Sequence, residues 1–259
     1  MADRVLPGPV DGSTCINEAV CVHTNKIFDS CKDKDCIEDL RVYPASASQG
    51  YIDAAINIRP KCAELLFARV NVDEICFNRG YYTVDVTYFY KINGDTFPGN
   101  HSVTGLAIFD KRVILYGSES SSKVFTSAYD LPAPTASLPT AIVEAVDPIA
   151  LNMKLADRSC CTCAEPSAPD IPDSILAAFG EPVNTQDSSK IWYVTLGQFS
   201  IIRLERDTNL VMPVYDYCIP EKDCVGSTDD DPCTLFGRIR FPVEEFYPPD
   251  RTDSCEEQD

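Results

Sequence analysis

Tyr82-Thr83-Val84-Asp85-Val86-Thr87-Tyr88-Phe89-Tyr90-Lys91-Ile92 is the stretch that decides the fold. Tyr82, Val84, Val86, Tyr88, Tyr90 and Ile92 take every even position, and Thr83, Asp85, Thr87 and Lys91 take odd ones. Successive side chains of a strand point to opposite faces, so this alternation predicts one buried face and one wetter face. Phe89 breaks the pattern. An apolar ring on the polar face calls for a second sheet or a partner subunit. Asn93-Gly94 follows, a dipeptide that tolerates the positive φ angles of a type I′ hairpin, so a turn is expected there.

Shorter β-patterned runs surround this strand, at 40–43, 55–59, 65–72, 102–109, 112–117, 122–127 and 140–155. Their spacing predicts a mainly β fold, an antiparallel β-sandwich over residues 39–157, with a loop at Leu131-Pro132-Ala133-Pro134. Residues 1–38 read as a cysteine-bearing N-terminal arm. Its Pro7-Gly8-Pro9 suits neither helix nor central strand, and one strand is expected at 20–28. Residues 158–172 form a Cys/Pro-rich linker with Pro166, Pro169 and Pro172. Residues 173–247 read as a smaller β-rich module. It opens on a short helix capped by Asp173 and ended by Gly180. Strands follow at 190–196, 199–205 and 210–217, the last demoted to an edge by Pro213. Asp231-Pro232 suggests a second short helix. Residues 248–259 are an acidic tail opening on Pro248-Pro249, and residues 218–259 carry 12 Asp and Glu against 4 Lys and Arg.

Forty acidic side chains against 22 basic ones give a net charge of −18. Such a surface repels phosphate backbones and anionic lipid, so neither nucleic acid nor a membrane is an expected partner. No apolar run approaches the roughly 18 residues that cross a bilayer. The start, Met1-Ala2-Asp3-Arg4-Val5, does not read as a Sec signal, which needs a basic start and an apolar core.

Thirteen cysteines are many for a protein made without such a signal. Cys15 and Cys21 are six apart, Cys31 and Cys36 five apart. Cys160, Cys161 and Cys163 cluster at the linker, Cys218, Cys224 and Cys233 follow in the module, and Cys255 lies in the tail. None of these spacings is the paired C-x-x-C of a zinc ribbon or a thioredoxin-type centre. Disulfides, reduced structural thiols and metal ligation all stay open from spacing alone. These eleven are the candidate cross-linking cysteines; Cys62 and Cys76 are expected to pack as small side chains or pair across strands. The odd total leaves one thiol over for another chain if every other pairs within this one. Adjacent cysteines strain the peptide between them when they bond, so Cys160 and Cys161 are expected to seek different partners. The linker is then a branch point; an unpaired cluster in a loop is the alternative.

No catalytic residue is assigned. Only His23 and His101 could serve as imidazole bases, and neither neighbours a nucleophile motif. There is no HExxH, P-loop or G-x-G-x-x-G. Asp229-Asp230-Asp231 lacks the fixed Gly and Glu of an EF-hand loop and reads as a solvated lead into a helix. No metal site, no cofactor and no enzymatic activity is expected.

Three stretches carry a resemblance: Asp110-Lys111-Arg112-Val113-Ile114-Leu115-Tyr116-Gly117-Ser118-Glu119, then Tyr215-Asp216-Tyr217-Cys218-Ile219-Pro220-Glu221-Lys222-Asp223-Cys224, then Asp231-Pro232-Cys233 ahead of Phe241-Pro242. They resemble cysteine-rich proteins of spore-forming clostridia, of the coat, exosporium or appendage type. The resemblance implies synthesis in the mother cell and assembly on the spore surface, with cross-linking after release. The expectation is a structural protein that self-assembles into a disulfide-stabilised polymer, whether filament, appendage or lattice. Its N-terminal arm bridges subunits, and its partners are copies of itself and other spore-surface proteins. The alternative is a cytosolic cysteine-based metal-binding or redox protein.

Overall fold

The computed structural model describes residues 20–119, 138–157, 169, 171–185, 189–212, 236–237, 240–242 and 246. In chain order the elements are β1 (Val20–Pro44), α1 (Gln49–Ala54), β2 (Asn57–Glu74), β3 (Tyr81–Phe97), β4 (Ser102–Tyr116), β5 (Thr140–Ala145), β6 (Ile149–Asp157), α2 (Asp173–Phe179) and β7 (Lys190–Met212). The protein is mainly antiparallel β. The seven strands among the described residues belong to one sheet, ordered β2-β3-β4-β1-β7-β5, with β6 also on β7. The sheet curls until β2 at one end lies beside β5 and β6 at the other, and the N–H of Leu65 donates to Asp147 Oδ1 across that seam at 2.8 Å. The two layers are thus halves of a single, nearly closed sheet. β1 comes from the stretch read as an arm and β7 from the stretch read as a C-terminal module, and they pair with each other from Val20/Met212 to Val42/Trp192.

The alternation that opened the sequence reading sets the core. Tyr82, Val84, Val86, Tyr88, Tyr90 and Ile92 are all buried, packed with Val42, Ile58, Val103, Leu115, Trp192, Leu196 and Leu204 inside the curl. Asn93-Gly94 makes no turn. Both residues run on within β3, paired with Cys62, Pro60, Thr104 and Val103. A Cβ at Gly94 would come within 3.0 Å of Arg59 O and Ile58 Cγ1, so this glycine serves close packing. The chain reverses instead at Pro98-Gly99-Asn100, where Gly99 and Asn100 take positive φ and Thr96 N–H donates to His101 O.

Phe89 is covered by neither a second sheet nor a partner subunit but by a helix of the same chain. It packs with Ala45, Leu106, Ile175 and Phe179 in a cluster on the outer face of the sheet, where α2 lies. Pro172, one residue before the expected Asp173, caps α2; Gly180 closes it in the left-handed conformation, φ 83°, with its N–H on Leu176 O. Several expected strands merge, 102–109 with 112–117 into β4 and the three at 190–217 into β7 as far as Met212. The run at 140–155 divides into β5 and β6. The expected strand at 122–127, the loop at 131–134, the linker cysteines, the helix at Asp231-Pro232 and the acidic tail lie outside the described residues.

Candidate functional site

β1 positions most of the candidate side chains that can be described. Between its two bulges, at Ile27/Asp29 and Ile37/Leu40, the strand alternates. Cys31, Asp33, Asp35 and Ile37 turn inward and are buried, and Lys32, Lys34 and Cys36 turn the other way. Of the eleven candidate cysteines, Cys31 is buried and outside any disulfide, and burial keeps it from reaching another chain as the fold stands. Cys36 is disulfide-bonded. Cys21 pairs through its backbone with Val211. Cys15, Cys160, Cys161, Cys163, Cys218, Cys224, Cys233 and Cys255 lie outside the described residues. Cys62 and Cys76, expected to pack or pair across strands, are instead exposed free thiols. Cys62 stands at the β2 bulge next to Pro60, and Cys76 at the β2–β3 turn. Neighbouring Cys76, Phe77 is 94% exposed.

The outward face of β1 and β7 carries a docked C-terminal segment. Phe236 packs on Phe199 with ring centroids 4.5 Å apart, Phe241 meets Phe199 edge-on at 5.6 Å, and Phe246 stacks on Phe241 at 5.1 Å. Lys34 Nζ lies over the rings of Phe199 and Phe236 and donates to Gly237 O. Gly197 leaves the room: a Cβ there would fall 2.6 Å from the Phe236 ring. Cys36 faces Gly197 across the β1–β7 ladder, so its disulfide sits beside this docking face.

Inside the curl is a feature the sequence reading passed over. Lys111 Nζ is in contact with Oδ2 of both Asp33 and Asp35. Tyr88 and Tyr90 wall the cluster, stacked at 6.0 Å, with Phe109 stacked on Tyr88 at 6.3 Å. The Tyr90 hydroxyl is fully buried and has no hydrogen-bond partner among the described residues. Burial, then the charge of Cys31, pushes the Asp35 carboxyl up to about 7. Burial likewise holds the Tyr90 hydroxyl well above its ordinary value, with smaller contributions from Tyr88 and Asp35. The signal was available. In Lys32-Asp33-Lys34-Asp35 the charges alternate in sign with the strand period, and Lys111 falls on the same row of β4 as Val103, Ala107, Phe109, Val113 and Leu115. A charge on a core row is buried with partners or not at all.

A second ion cluster lies on β7, where Arg203 reaches Glu144 and Glu205. Among the described residues no group of three or more His, Cys, Asp and Glu side chains is placed to hold a metal ion, and no helix is long and apolar enough to cross a membrane.

No protein-family model matches the chain, and no solved structure does. The chain is similar to a curated protein of Clostridium sporogenes named Exosporium protein A, with 24% identity over 274 residues that span 96% of this chain and 80% of that protein.

Proposed function

We propose that this chain is a structural protein of the spore surface that assembles with copies of itself and is locked by disulfides. The observation that carries the proposal is the pair of exposed free thiols on and beside β2, Cys62 and Cys76, the second next to the exposed ring of Phe77. An apolar side chain beside a reachable thiol suits a contact that docks first and oxidises afterwards. The net charge of −18 keeps free subunits apart until such contacts form. Each closed disulfide adds about 2–4 kcal/mol by restricting the unfolded chain. The likeness to Exosporium protein A supports the location.

Intact spores of the producing organism test this. An antibody to the chain labels their surface, and denaturant releases the chain only when reductant is added. Unlabelled spores, or full release by denaturant alone, overturn the proposal.

A further inference from the structure

β1 and β4 share a backbone ladder only where Val42, Tyr43 and Pro44 face Ala107, Leu106 and Gly105. Further along β1, side chains bridge the two strands, and the buried bridge is Lys111 against Asp33 and Asp35. Their side chains are 8%, 9% and 12% exposed. One amine and two carboxyl groups are thus held together in a chamber walled by Tyr88 and Tyr90. The two carboxyls differ in what else they touch. Asp33 Oδ1 accepts the backbone N–H of Lys34 at 2.6 Å, while its Oδ2 meets the amine. Asp35 offers Oδ2 to the same amine.

We propose that Lys111 and Asp33 join through an isopeptide bond that the folded chain forms by itself, with Asp35 as the proton carrier. Removal from water disfavours the ammonium and carboxylate forms, so a proton passes from Lys111 Nζ to Asp33 and leaves a neutral amine beside a neutral acid. The Nζ lone pair adds to Asp33 Cγ. The negative charge that develops falls on Oδ1, which the Lys34 N–H already addresses. Asp35 takes a proton from Nζ and returns one to Oδ2. The Cγ–Oδ2 bond then breaks and Oδ2 leaves as water. One amine and one carboxyl become one amide and one water, with no oxidant or reductant. A carboxyl that titrates near 7, as burial and Cys31 make Asp35 do, has both protonation states at hand at neutral pH. The product also suits the chamber: it holds no buried ammonium, and the remaining acid can stay neutral. The bond would tie β1 to β4 where their ladder does not reach. It is independent of whether the chain assembles.

Intact-mass measurement of the purified, fully reduced full-length chain reads the outcome. The wild type is expected lighter than its sequence by one water. Trypsin is expected to spare Lys111, so that residues 92–112 emerge joined to the peptide containing Asp33. Lys111→Arg keeps the cation but cannot form the amide and is expected at full mass. Asp35→Asn keeps both reacting groups and is expected to lose the linked species. A wild type of full mass, with a native circular dichroism spectrum, overturns the proposal. A link mapped to Asp35 overturns the roles given to the two carboxyls. If Lys111→Arg fails to fold, the branched peptide from the wild type decides alone.

Discussion

Asp35, Tyr90 and Cys31 show how single side chains set the chemistry of the interior. An acid whose folded-state pKa rises from 3.8 to about 7 binds its proton more tightly folded than unfolded. Its contribution to stability is therefore present in full below pH 4 and is lost as pH rises towards 7. At about 1.36 kcal/mol per unit the loss is on the order of 4 kcal/mol. Cys31, Lys111 and Tyr90 are titratable groups that face it, and Asp33 shares the Lys111 amine with it. In the Lys111→Arg background, where no amide can form, urea unfolding at pH 4.5 and 7.5 is expected to reveal this slope, and adding Asp35→Asn to flatten it. Tyr90 makes a simpler case. A buried hydroxyl without a partner costs roughly 1–3 kcal/mol. Tyr90→Phe is expected to raise the urea midpoint by that order, and a drop instead would mean the hydroxyl has a partner in solution.

At the scale of elements, α2 and the docked C-terminal segment explain two features of the strands they cover. Phe179 and Ile175 bury Phe89 on the outside of the sheet. Phe179→Ala opens a cavity there and is expected to cost about 3–5 kcal/mol in chemical unfolding. Gly197→Ala drives a methyl into the Phe236 ring. Limited proteolysis is expected to cut that variant faster near residue 236 while the sheet resists as before; equal rates would show that Phe236 does not dock. The sequence made part of this legible. The even row of β3 named its own buried face, and Gly180 named the end of α2. Phe89 announced a cover without saying that the chain itself supplies it, because the covering helix lies more than eighty residues on. Asn93-Gly94 misled because local turn chemistry yields to a long ladder paired on both flanks. Lys111, Asp33 and Asp35 were readable as charges on core rows, but their meeting depends on the curl of the sheet. The exposure of Cys62 and Cys76 depends on the same curl, and spacing along the chain says nothing of it.

Across the whole molecule, one curled sheet gathers thiols with different fates. Cys31 is sealed inside, Cys36 is bonded beside the Phe236 docking face, and Cys62 and Cys76 look outward. Assembly locked by the outward pair makes a particular demand. Cys62→Ser with Cys76→Ser is expected to leave the monomer fold and its circular dichroism unchanged while most of the covalent multimer disappears. The measurement that tests the central claim most directly is electrophoresis of the purified full-length chain after air oxidation, run with and without reductant. The account predicts a ladder of covalent multimers that collapses to the monomer on reduction. A single monomer band in both lanes, from protein concentrated enough to assemble, would contradict it.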